Sequence, residues 1–239
     1  MKNFILSLFL LIPFVCIAQF RTSIDIVGGP EYSFRIIDEN KSSENVRPFL
    51  HRKSTEEGLI KGRLGININQ RILKGLFVKS GVRIADIGYK FPDLTSFKWG
   101  LQATDGVFIS NLPSGEKGYS TSYNNLFLEI PIAVRKEFLL ENKFQPFVEG
   151  GISGLIYLTS INRLNNRGEK STKKEYIDGI TDFQWAINLS VGLNYNISET
   201  RQLFFQPTFR YHLTPTYGEF LVENVYSIGV ELGYRFSIR

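Results

Sequence analysis

Beyond the first twenty residues, apolar and polar side chains alternate along most of the chain, and this period of two predicts β-strands. The cleanest run is Phe183 to Ile197. Phe183, Trp185, Ile187, Leu189, Val191, Leu193, Tyr195 and Ile197 alternate there without exception with Gln184, Ala186, Asn188, Ser190, Gly192, Asn194 and Asn196. Similar runs predict strands over Thr22–Ile37, Leu59–Gln70, Gly75 to about Tyr89, Asn124–Arg135, Phe144–Ser160, Leu203–Leu213 and Tyr226–Ile238. In the third of these eight strands Val82 and Ile84 share a face, whereas Ile87, Tyr89 and Phe91 carry the apolar side afterwards, so a bulge is expected near Asp86. The fourth holds Glu129 and Pro131 opposite Leu128, Ile130 and Ile132. Because proline removes a ladder donor, a bulge or an inserted water is expected at Pro131.

The segments between strands differ in a regular way. Those after the first, third, fifth and seventh strands are long and polar; those after the second, fourth and sixth are short. Outer-membrane barrels have this asymmetry, with short periplasmic turns and longer outer loops, and their strands exceed the usual soluble length. Trp185, Tyr195, Tyr211, Tyr226 and Tyr234 fall near strand ends on the apolar face, where they would form interfacial girdles. The expected fold is therefore all-β, an eight-stranded antiparallel up-and-down transmembrane β-barrel. A soluble lipocalin-like barrel is the alternative that alternation alone leaves open.

Met1–Ala18 has Lys2, an apolar run and a Cys16-Ile17-Ala18 site, the pattern of a secretory signal peptide cleaved after Ala18; the barrel domain is then residues 19–239. A lipoprotein reading of Cys16 fits less well, since bulky Phe14 and Val15 precede it. Cys16 is the only cysteine, so the mature chain would hold neither disulfide nor thiol nucleophile. No later stretch is long and apolar enough for a transmembrane helix. The formal charge of +5 is spread along the chain and does not point to nucleic acid.

The face opposite the apolar one collects Lys61, Arg63, Glu129, Arg135, Glu149, Arg210, His212, Glu231 and Arg235. An eight-stranded barrel is just wide enough for its own side chains, and buried charges must pair. The expectation is an interior charge network of Arg63, Glu129, Glu149, Arg210, Glu231 and Arg235, with Glu129 facing Glu149 and Arg210 beside Glu231. His212, near the outer rim, with Ser227 and Glu219 in reach, is the one candidate for a lipid-modifying enzyme; no motif positions a partner for it. No catalytic residue, cofactor site or metal site is assigned. The polar segment Ile161 to Asp182 reads as a loop, and within it Arg163, Arg167, Lys170, Lys173 and Lys174 form a candidate anion-binding loop for lipopolysaccharide phosphates or an acidic partner.

The stretches LFLEIPIAVR (126–135), QPFVEGG (145–151) and GVELGYRF (229–236) resemble the PorT-like outer-membrane β-barrel family of Bacteroidota. That resemblance implies a small outer-membrane barrel, some of whose relatives are linked to type IX secretion. The expected role is structural or interactive, with outer-membrane lipid, lipopolysaccharide and envelope or secretion-system proteins as partners. A rim-histidine enzyme and a narrow channel are the alternatives. The last strand is similar to the assembly signal of such barrels, although Ser237, Ile238 and Arg239 follow its final aromatic, Phe236.

Overall fold

The computed structural model describes residues 22–37, 56–94, 119–166, 169–216 and 223–238. Among the described residues nine strands run in the order β1 (Thr22–Ile37), β2 (Glu57–Leu73), β3 (Leu76–Leu94), β4 (Tyr119–Glu137), β5 (Phe144–Asn166), β6 (Glu169–Glu175), β7 (Phe183–Ser198), β8 (Arg201–His212) and β9 (Glu223–Ile238). Antiparallel pairing leads from β1 through β2, β3, β4, β5, β7 and β8 to β9, and β9 pairs back to β1, so eight strands form a closed ring. Closure leaves no unpaired edge within the ring, which a lipid-facing sheet requires. β5 is shared: Phe144–Ile156 pairs with β7 and Ser160–Asn166 with β6, which lies outside the ring.

The burial pattern is inverted relative to a soluble protein. Ile66, Val82, Ile132, Val191 and Leu232 are each more than half exposed on the outside, whereas Arg135, Asp25 and Asn67 are fully buried within. Each follows from the strand's alternation, one face to the surroundings and one to the bore. Aromatic groups flank the aliphatic belt. Towards the long loops, Tyr226 packs on Phe34, Phe209 and Tyr211, and Phe183 meets Trp185 edge-on at 4.9 Å. Towards the short turns, Phe144 packs on Tyr195 at 5.2 Å and Tyr234 on Phe236 at 4.4 Å.

Four expectations are corrected. First, β3 keeps its alternation through Asp86, and the register shift there lies in its pairing with β2, between Gly58 and Arg63, where β2 carries the extra residue. Ile87 and Phe91 are thus buried on the bore side. Second, the ladder with β5 runs regularly through Pro131, which pairs with Ser153. The lost donor is felt on the other side, where the β3 ladder stops at Ser80–Ile132 and resumes in unchanged register at Arg83–Glu129. Pro30 and Pro207 behave alike: each stays paired on one side, with Gly62 and Val230, and interrupts the ladder to β9 and β7 without a slip. Third, the segment read as a polar loop after Ser160 is largely strand, the end of β5 and all of β6. β6 reads EKSTKKE, polar on both faces, so alternation has no contrast to reveal it. Fourth, β3 and β4 extend into the long connection expected from Lys90 to Ser122. The signal peptide, His51, Arg167 and Glu219 lie outside the described residues.

Candidate functional site

The inward face of every ring strand points into the bore, and the polar residues there stack in levels from the short turns towards the long loops. At the turn end, Arg235 donates to Asp25 from Nε at 2.7 Å and Nη2 at 3.2 Å, and from Nη1 to Glu137 at 2.7 Å. Asn194 donates to the same Glu137 oxygen at 3.0 Å. At the next level Glu149 accepts from Arg135 Nε at 2.7 Å and from Lys79. The Arg135 guanidinium lies over Phe147 at 3.9 Å and faces Phe204 at 5.0 Å. Above it, Glu231 takes Arg63 and, at 3.1 Å, Arg83. Glu129 accepts from Arg210 at 3.0 Å and Ser153 at 2.8 Å, and Glu31 lies 3.4 Å from Arg210 and 3.6 Å from Arg63.

Among the described residues these levels hold six cations, Arg63, Lys79, Arg83, Arg135, Arg210 and Arg235, and six carboxylates, Asp25, Glu31, Glu129, Glu137, Glu149 and Glu231. Charges taken out of bulk water are tolerated only when paired and hydrogen-bonded, and the balance of signs meets that demand. Six expected network residues, Arg63, Glu129, Glu149, Arg210, Glu231 and Arg235, therefore lie in the bore, but their partners differ. Glu129 and Glu149 do not face each other: each holds its own arginine, and Glu129 pairs across the strand ladder with Leu155. Arg210 pairs with Glu129 and Glu31, while Glu231 belongs to Arg63 and Arg83. Lys61 departs from the network and meets Asp86 at 3.6 Å. Asp25, Glu31, Lys79, Arg83 and Glu137 went unassigned. Lys79 and Arg83 stand opposite Val78, Val82 and Ile84 and share the parity of Ala85 and Ile87, so the alternation ahead of Asp86 already turns them inward.

At the loop end the bore turns apolar. Ala85, Ile87, Phe127, Leu155, Tyr157, Ala186 and Val225 form one buried cluster with Ile180, which the β6–β7 connection inserts from above. Thr181 fixes that connection by donating its N–H to the Thr216 carbonyl at 2.8 Å. Arg35 joins Glu56 at 2.7 Å and Glu223 at 2.6 Å over this stopper. His212 is buried beside it; its Nδ1 lies 3.4 Å from Gln184 Oε1, and its Nε2 has no hydrogen-bond partner among the described residues. Ser227 Oγ likewise has no partner there. The turn end differs, opening into a polar vestibule of about 670 Å³ lined in part by Glu137, Gln145, Gln202 and Arg235.

The expected anion-binding residues Arg163, Lys170, Lys173 and Lys174 fall on the β5–β6 hairpin, not on a loop. Lys173 is committed to Glu175 at 2.5 Å, and its hydrogen bond, with a second from Asn162, holds the Glu175 carboxyl below the usual range.

A family model described as "Outer membrane protein beta-barrel domain" matches residues 59–218. Among solved structures, the chain is similar to Neisserial surface protein A (12% identity, 90% of this chain and 96% of that one, TM-score 0.47). It is similar also to OprG of Pseudomonas aeruginosa (11%, 92% and 97%, TM-score 0.43). A third is Ail of Yersinia pestis in complex with the heparin analogue sucrose octasulfate (10%, 90% and 99%, TM-score 0.37). No curated protein matches the sequence.

Proposed function

We propose that this chain, which belongs to the outer membrane protein beta-barrel domain family, is a closed barrel serving as a structural or interaction component of the outer membrane and not as an enzyme. Its location is the outer membrane, where the aliphatic belt faces lipid. The observation that supports the role is the filled bore: paired charges occupy its levels from the turn end upward, and the apolar cluster around Ile180 stops its outer mouth. Partners are then left the two ends, the vestibule among the short turns and the strands that rise towards the long loops. The finer reading, a PorT-like protein working beside type IX secretion machinery, rests on the resemblance of the fourth, fifth and eighth predicted strands.

Cross-linking in native cells followed by affinity purification of the tagged full-length chain is expected to recover a defined set of envelope proteins, secretion components among them. A set without secretion components would remove the type IX reading, and a chain recovered alone would remove the interaction role. In planar bilayers the purified barrel is expected to pass no steady current. Sustained conductance would replace the closed barrel with a narrow channel.

A further inference from the structure

A bulge in β5 decides where the basic hairpin residues point. In the β4–β5 ladder Phe127 pairs with Tyr157 but Leu126 pairs with Thr159, so Leu158 is the extra residue. One inserted residue moves every later side chain to the other face. Below the bulge the odd positions Ser153, Leu155 and Tyr157 are buried in the bore; above it the even position Ser160 is buried, and Arg163 turns outward, exposed. β6 follows β5 in register: Lys174 pairs with Ile161, Thr172 with Arg163 and Lys170 with Asn165. Arg163, Lys170 and Lys174 thus share the face that continues the lipid-facing side, whereas Lys173 and Glu175 lie on the opposite face.

Lys170 and Lys174 are the diagonal neighbours of Arg163 across the ladder, at about 7–8 Å between backbones in such an arrangement. None of the three has a hydrogen bond or salt bridge among the described residues. Asp86, which also feels the charge of Arg163, is engaged by Lys61 at 3.6 Å. Three like charges gathered on one ribbon face repel unless an anion lies between them. Their height points to the anion: Lys174, level with Ile161, stands about 10 Å along the strand beyond Leu158, and Arg163 itself and Lys170, level with Asn165, stand about 16 and 23 Å beyond it. All three stand above the girdle on this side, whose Phe183 and Trp185 pair with Ile156 and Gly154, and so beyond the aliphatic belt towards the long loops, which in such barrels is the side of the outer leaflet.

The geometry points to Arg163, Lys170 and Lys174 as a phosphate-binding patch for the anionic glycolipid of the outer leaflet, gripping the phosphates of a lipid A headgroup. This rests on the outer-membrane reading above. The refolded full chain in detergent micelles would be titrated with diphosphoryl lipid A and with its phosphate-free counterpart, and binding read by native mass spectrometry. The diphosphoryl lipid is expected to bind at least about tenfold more tightly, as charged hydrogen bonds to phosphate imply. The triple variant Arg163→Gln, Lys170→Gln, Lys174→Gln should lose that preference, while Lys173→Gln should keep it. Equal binding of the two lipids, or a triple variant that still discriminates, overturns the patch. Displacement of the lipid by inorganic phosphate at equal concentration would also overturn it, by assigning the site to a free anion. The outer-membrane reading has its own readout: a chain that neither enters vesicles nor migrates as a heat-modifiable barrel fails there, and the patch falls with it.

Discussion

Replacing Arg235 by Met is expected to lower the stability of the folded barrel by about 3–5 kcal/mol, the range for a buried ion pair with one partner removed. Arg235 is nearly fully buried and serves two carboxylates at once, Asp25 through two donors and Glu137 through a third. Without it Glu137 retains, among the described residues, only Asn194 as a side-chain donor, and a neutral one. Other bridges in the bore are shared more widely: Glu231 has both Arg63 and Arg83, and Glu149 has both Arg135 and Lys79. The same substitution is therefore expected to cost less at Arg83 than at Arg235. Combining Arg235→Met with Asp25→Asn and Glu137→Gln should recover most of the loss, because the penalty comes from stranded charge and not from the missing attraction. Urea titrations of the barrel refolded in micelles, followed by tryptophan fluorescence and gel mobility, measure both. A single variant within about 1 kcal/mol of the native chain would mean that water from the vestibule solvates these carboxylates as it does an exposed pair.

Alternation made the eight ring strands legible because one face of each meets lipid and the other meets polar groups. It could not show who pairs with whom. Asp25 and Arg235 stand 210 residues apart, and Glu129 and Arg210 stand 81 apart. Asp25 and Arg235 are ladder partners on β1 and β9, the pair that closes the ring, whereas Glu129 on β4 and Arg210 on β8 meet across the bore and depend on the stagger of the strands between them. The prolines illustrate the same limit. Pro131 signals a missing donor, but which neighbour goes without is a matter of register, and the ring absorbs the loss on the β3 side while β5 holds its ladder. The bulge at Leu158 was legible only after the fact. Arg163 read as one of five basic residues in a loop, and its orientation follows from a single inserted residue whose neighbours Tyr157 and Thr159 carry no turn signal. Lys79 and Arg83 were legible, because they stand opposite Val78, Val82 and Ile84 ahead of Asp86; the slip expected there misplaced Ile87 and Phe91 instead.

Gly233→Val is expected to reduce the fraction of chain that reaches the folded, heat-modifiable form, with a loss of about 1–3 kcal/mol or more from overpacking. A Cβ at Gly233 would lie 2.0 Å from Cζ of Phe204, so the ring must leave its place against the strand. That ring faces Arg135 at 5.0 Å and packs edge-on against Phe147 at 6.3 Å, so its displacement also disturbs the level at which Glu149 is held. Gly192 plays the matching part for Phe147, whose Cζ would lie 2.2 Å from a Cβ there. The two sites differ in what else they touch. The three atoms nearest a Cβ at Gly233 all belong to the Phe204 ring, whereas a Cβ at Gly192 would also lie 2.7 Å from the Phe205 backbone carbonyl. Trimming the ring should consequently rescue one variant and not the other. Phe204→Leu is expected to restore folding to Gly233→Val, but Phe147→Leu should leave Gly192→Val impaired, because a carbonyl in a closed ladder cannot withdraw as a side chain can. Equal rescue at both sites would show that the β7–β8 ladder yields at Gly192, where Pro207 already interrupts it.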